Sequence, residues 1–101
     1  MAVRIGYFGK SAGVGQAGEK WEWKVFVDED EEKLNEIEEV EYAYPTVPPQ
    51  KNVIKDRESA FALEDWSWGP HQIVVVTVRY ADGRKESTEH RIDFRKRTET
   101  R

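Results

Sequence analysis

Cysteine is absent from the 101 residues, which excludes a disulfide framework, a thiolate nucleophile and a Cys-ligated zinc. That absence fits a reducing, intracellular and cytoplasmic setting. No apolar run approaches the ~18 to 20 residues of a membrane span, and Met1 to Gly9 has no basic region followed by a long apolar stretch, so neither an anchor nor a signal peptide is expected. Positive charge is also short: 16 Lys and Arg against 20 Asp and Glu give 16 − 20 = −4, whereas a duplex-binding protein needs a basic footprint. Nucleic acid and membrane are therefore not the expected partners. His71 and His90 are the only histidines, and neither has an i+3 or i+4 His, Asp or Glu on a helix that suggests a metal site. No nucleophile is expected among the four serines. No enzyme, cofactor or metal is expected from this inventory.

What the chain does have is aromatic side chains, 12% of its residues including four Trp, enough to build a core despite a hydrophobic fraction of only 38% and a charged fraction of 36%. At this length one domain is expected, spanning 1–101. Its core is expected at about 21–95, with a flexible Gly-rich segment at 9–19 and a frayed tail at 96–101. Five of the seven glycines (Gly6, Gly9, Gly13, Gly15, Gly18) precede residue 19, which predicts a mobile loop over Lys10 to Gly18 after a short opening strand. Gly9-Lys10-Ser11 has the ending of a phosphate-binding loop, but Arg4 stands where that loop needs its first Gly, so a polar loop is the simpler reading.

Trp21 to Val27 alternates apolar with polar residues and predicts a strand at 21–27. From Asp28 to Glu41 nine acidic residues meet the single Lys33, a local charge of 1 − 9 = −8. Its first five residues resemble the start of a calcium loop, yet Lys33 occupies the sixth position, where that geometry needs Gly. A solvated acidic segment able to attract Lys-rich partners is the better reading. A short turn and a strand at 38–44 follow, ended by Pro45, Pro48 and Pro49, with a loop from 45 to about 52.

Ser59 to Glu64 predicts a short strand with Phe61 and Leu63 on one face, and Asp65 to Pro70 an aromatic loop holding Trp66 and Trp68. His71 to Ala81 and Arg84 to Arg95 alternate on either side of Asp82-Gly83, the pattern of a long β-hairpin. Val74, Val76, Val78 and Tyr80 lie on one face and Ile73, Val75, Thr77 and Arg79 on the other, which places that first strand centrally in its sheet. The sum is an all-β antiparallel sandwich of about seven to eight strands.

Trp23 to Val27, Val40 to Pro48, Phe61-Ala62-Leu63-Glu64 and Trp68-Gly69 before the hairpin, in this order and spacing, resemble the YEATS domain over about residues 21–94. The Asp56-Arg57 and Asp-Gly signals look most like its prokaryotic YEATS-like branch. The resemblance implies an immunoglobulin-like sandwich and a binder rather than an enzyme. Eukaryotic members read acylated lysine on histone tails between two loops. The first loop's His, its Ser or Thr and the aromatic after it line up here with Tyr44, Thr46 and Val47. The second loop's Gly, aromatic and small residue line up with Ser67, Trp68 and Gly69. Val47 stands where an aromatic closes the site and Tyr44 where the His sits, so Trp66 or Tyr44 is the candidate for the missing ring. Ligand-binding residues are accordingly expected among Tyr44, Thr46, Val47, Trp66, Ser67, Trp68 and Gly69. The expected partner is a protein or peptide, Lys-rich or acylated, held at loops 44–47 and 66–70. The alternative is a structural or interaction domain of a multidomain bacterial effector or sensor without a discrete acyl-lysine site. The first reading expects Trp68 partly exposed in a concave slot, the second expects it buried.

Overall fold

A computed structural model describes residues 3–96. Its elements are β1 (Ile5–Gly15), β2 (Gly18–Val27), the one-turn helix α1 (Glu31–Leu34), β3 (Ile37–Tyr44), β4 (Gln50–Ile54), β5 (Leu63–Trp68), β6 (His71–Tyr80) and β7 (Lys85–Asp93). They form two antiparallel sheets, one ordered β1-β2-β5 and the other β4-β3-β6-β7. Inward side chains of both sheets share one core, with Val25 and Val27 from β2, Val40 and Tyr42 from β3, and Val74, Val76 and Val78 from β6. The fold is an all-β sandwich, as the alternation of the chain requires.

The β6–β7 hairpin follows the Asp-Gly signal. Gly83 takes φ +94°, and Asp82 accepts the Arg84 N–H at 3.0 Å. Val74, Val76, Val78 and Tyr80 are inward and fully buried, and β6 lies between β3 and β7, the central position its two apolar faces predict. In the acidic segment Asp30 caps α1 by accepting the Lys33 N–H at 2.9 Å, so part of the charge serves as a helix start.

Three sequence expectations are corrected. The Gly-rich stretch is no loop after a short strand: β1 runs on to Gly15 and pairs with β2 down to Gly15↔Gly18, with a register shift between Ser11 and Gly13. The core accordingly begins before residue 21, since Val3 is 3% exposed. Gly9 has a packing reason to lack a side chain. A Cβ there would stand 2.8 Å from the Phe94 Cβ and 3.0 Å from the Trp23 Cβ, beneath the stacked Trp23 and Phe94 rings.

The loop expected over 45–52 ends sooner, because β4 starts at Gln50 and pairs with β3 from Tyr44↔Gln50 to Val40↔Ile54. Proline interrupts a ladder only where its missing N–H is needed, and all three prolines precede the first paired residue. Third, the strand expected at 59–64 is displaced. Residues 56–61 form a tight turn in which Ala60 and Phe61 take φ 60° and 56°. Backbone bonds from the Val27 N–H to the Ala60 oxygen and from the Phe61 N–H to the Asp56 oxygen hold it, and the Tyr42 hydroxyl donates to the Phe61 oxygen at 2.6 Å. The buried Phe61 ring outweighs the strain of a left-handed backbone. Apart from Lys96, the tail expected at 96–101 lies outside the described residues.

Candidate functional site

The stretch expected to be an aromatic loop is strand β5, which pairs with β2 through Lys20↔Trp68, Trp21↔Ser67 and Glu22↔Trp66. Only Gly69 and Pro70 form the bend, where Gly69 takes φ +87° and its N–H donates to the Glu19 oxygen at 2.6 Å. Strand alternation sends Asp65 and Ser67 one way and Trp66 and Trp68 the other. The polar residues point into the sandwich and the indoles point out of it. Trp66 is 47% exposed and Trp68 54%.

Two buried aromatic residues with polar ends make this inverted arrangement possible. The Tyr44 hydroxyl donates to the Asp65 carboxylate at 2.6 Å, and the Trp23 Nε1–H donates to the Ser67 hydroxyl at 3.1 Å. Ser67 in turn donates to the Gly69 oxygen at 3.0 Å and so ties the strand to its bend. The Tyr44 ring meets Trp23 edge to face, with centroids 6.1 Å apart. Burial, then the bond and charge of Asp65, push the Tyr44 phenol well above its ordinary range.

On the outer face Trp66 and Trp68 pack edge to face at 5.2 Å, and the Lys20 ammonium lies 4.8 Å from the centre of the Trp66 ring. Such a contact is worth ~0.5 to 1 kcal/mol at an exposed site. Across β2, Trp66 shares a shallow depression with Phe8, Glu22 and Lys24.

The other expected loop opens elsewhere. Pro45 and Thr46 line a second depression together with His71, Ile73, Arg91 and Asp93. The Thr46 hydroxyl donates to the Pro48 oxygen at 2.7 Å, and Val47 is fully exposed. Of the residues expected at the site, Tyr44 and Ser67 are brought together inside the sandwich through Asp65 and Trp23, and Trp66 and Trp68 outside it. Thr46 and Val47 join neither pair. Trp68 is exposed, as the binding reading expects, but on a sheet face rather than in a slot.

Sequence reasoning passed over Asp65, Trp23, Lys20 and Phe8. Lys20 meets the indoles only through strand pairing. For Asp65 a local signal exists: Asp65 to Trp68 alternates polar with apolar as a strand does, which places Asp65 and Ser67 on one face. Among the described residues no cluster of His, Asp or Glu could hold a metal, and no helix is long and apolar enough to cross a membrane.

No curated protein matches the chain. A family match is found, covering residues 21–93 of the 101 and taking in most of β2 with its inward Trp23, the turn at 56–61, β5 with its outward indoles and the β6–β7 hairpin. With well over half its length matched, the chain belongs to the prokaryotic YEATS domain family.

Proposed function

We propose that this domain is a non-enzymatic binding module that seats a segment of a partner protein against the Trp66 and Trp68 indoles, with an acylated lysine as the anchoring side chain. The observation that carries the reading is the inside-out strand β5. Two large apolar rings stand in solvent while the half-buried Asp65 and Ser67 point into the sandwich. Burial alone favours the opposite arrangement, so the exposed rings need another reason, and contact with a partner supplies one.

The charge around the rings favours a neutral side chain. Lys20 already occupies the face of Trp66, and a free lysine ammonium arriving there meets a like charge. An acyl amide is uncharged and planar and stacks on an indole without that conflict. The alternative, an interaction domain of a larger effector or sensor with no discrete acyl-lysine site, is favoured by one observation: loop 45–46 and Trp66 open onto separate depressions.

An NMR titration of isotope-labelled domain with acetylated, crotonylated and unmodified lysine peptides tests the reading. Saturable shifts at the Trp66 and Trp68 indoles, larger for acylated peptide, are expected. Absence of shifts at millimolar peptide overturns it and leaves the interaction-domain reading. Shifts confined to Tyr44, Thr46 and Val47 place the ligand at the other loop instead.

A further inference from the structure

The outer face of the β1-β2-β5 sheet carries two cross-strand rows. One runs Lys10, Glu22, Trp66, and the next runs Phe8, Lys24, Glu64. Phe8 is 41% exposed and Trp66 47%, and all six residues border the same shallow depression. On the outer face of the opposite sheet Arg79 lies 3.8 Å from Glu39 and Arg91 3.2 Å from Glu89. On the β1-β2-β5 face Lys10, Glu22 and Glu64 enter no ion pair with any described residue, and the Lys24 ammonium lies 5.8 Å from the centre of the Phe8 ring. Aromatic residues are enriched at contact surfaces, and charges of both signs fix the register of such a contact.

We infer that a second copy of this chain covers this face, with β2 packed antiparallel against β2 of the copy. The arrangement of charge selects both occupant and register. Glu22 and Lys24 are two positions apart on the central strand and point the same way. A two-fold axis perpendicular to the strands and passing between the two rows sets each Glu22 opposite Lys24 of the second copy, twice over. The same axis sets Lys10 over the Phe8 ring of the copy and Trp66 beside its Glu64. A two-fold axis along the strands would set Glu22 against Glu22, and like charges there oppose that packing. A surface carrying both signs in this order is thus complementary to itself.

This inference goes beyond segment binding: the second copy and the segment compete for the outer face at Trp66, so the dimer is the segment-free form, and its test contains no peptide. The mass of the 11.8 kDa domain is measured by sedimentation equilibrium over rising concentration at low and physiological salt. A twofold rise in mass is expected, weakened by salt. Glu22→Lys alone and Lys24→Glu alone each place like charges across the axis and are expected to remain monomeric. The double variant Glu22→Lys/Lys24→Glu restores the pairing and the twofold mass, as does an equimolar mixture of the two single variants. Both positions lie on the outer face, and far-UV circular dichroism at a concentration where the wild type is monomeric verifies that each variant folds. A wild-type mass that stays monomeric to millimolar concentration overturns the inference. So does a dimer indifferent to the single reversals, or a double variant that stays monomeric.

Discussion

Removing the Tyr44 hydroxyl tests the structural basis of the inverted strand. The bond to Asp65 is short, 2.6 Å, and its acceptor is a carboxylate, on a tyrosine only 7% exposed. Hydrogen bonds to a charged group contribute ~1.5 to 3 kcal/mol. In Tyr44→Phe the Asp65 carboxylate, half-buried, regains water, so the loss belongs at the lower end, ~1 to 2 kcal/mol. In Asp65→Ala the Tyr44 hydroxyl is stranded inside the sandwich, a loss of ~2 to 3 kcal/mol. For a domain of this size 1 kcal/mol corresponds to ~4 to 8 °C in thermal midpoint, so both variants are easily resolved by circular dichroism. The double variant should be no worse than Asp65→Ala alone, giving a coupling of ~1 to 2 kcal/mol between the two positions. A Tyr44→Phe midpoint equal to wild type, or a coupling below ~0.5 kcal/mol, would refute the claim that this bond holds the polar side of β5 inward.

Trp68→Ala should cost about 1 kcal/mol, whereas Trp23→Ala, which empties a 4%-exposed site stacked on Phe94, should cost ~3 to 5 kcal/mol; urea denaturation compares them, and equal losses would show that Trp68 is a core residue. Gly9→Ala drives a methyl into the Trp23 and Phe94 side chains and should lower stability by ~1 to 3 kcal/mol despite the gain in chain stiffness, an outcome checked by thermal melting. The Tyr42 and Tyr44 phenols are both raised by burial, so above pH ~10 the unfolded chain loses protons that the folded one keeps. Stability should therefore fall as pH rises beyond ~10, less steeply in Tyr44→Phe, as melting between pH 8 and 11 measures. Burial holds the His90 imidazole below its ordinary range, so wild type should lose stability as pH falls through ~6.5, and His90→Leu should flatten that part of the melting profile.

Much of the fold was legible because local pattern and tertiary placement agree. The β6–β7 hairpin is such a case: its turn chemistry, alternation and two-sided apolar strand each point to the same central position. The β1–β2 hairpin was not legible in full, since its outer half carries glycines and polar residues and draws its order from cross-strand pairing rather than burial. The turn at 56–61 was missed for a related reason. Ala60 and Phe61 have no intrinsic preference for a left-handed backbone, and only the Phe61 pocket, the Val27 N–H and the Tyr42 hydroxyl select it.

At the candidate site the sequence showed residues 65–68 as neighbours in the chain but not which side each would take. Asp65 and Ser67 look like solvent residues and Trp66 and Trp68 like core, until Tyr44 and Trp23 supply buried partners from other strands. What the sequence by itself determined is the all-β class, the hairpin and the absence of cysteine, because these depend on composition and on period-two patterning along short segments; the family rests on the order and spacing of several segments over residues 21–93. Which face of β5 meets solvent, which loop opens onto which depression, and which charges remain unpaired were decided only by the tertiary structure. Each depends on groups distant in the chain, and a hydrogen bond between such groups can reverse what hydrophobicity alone would select.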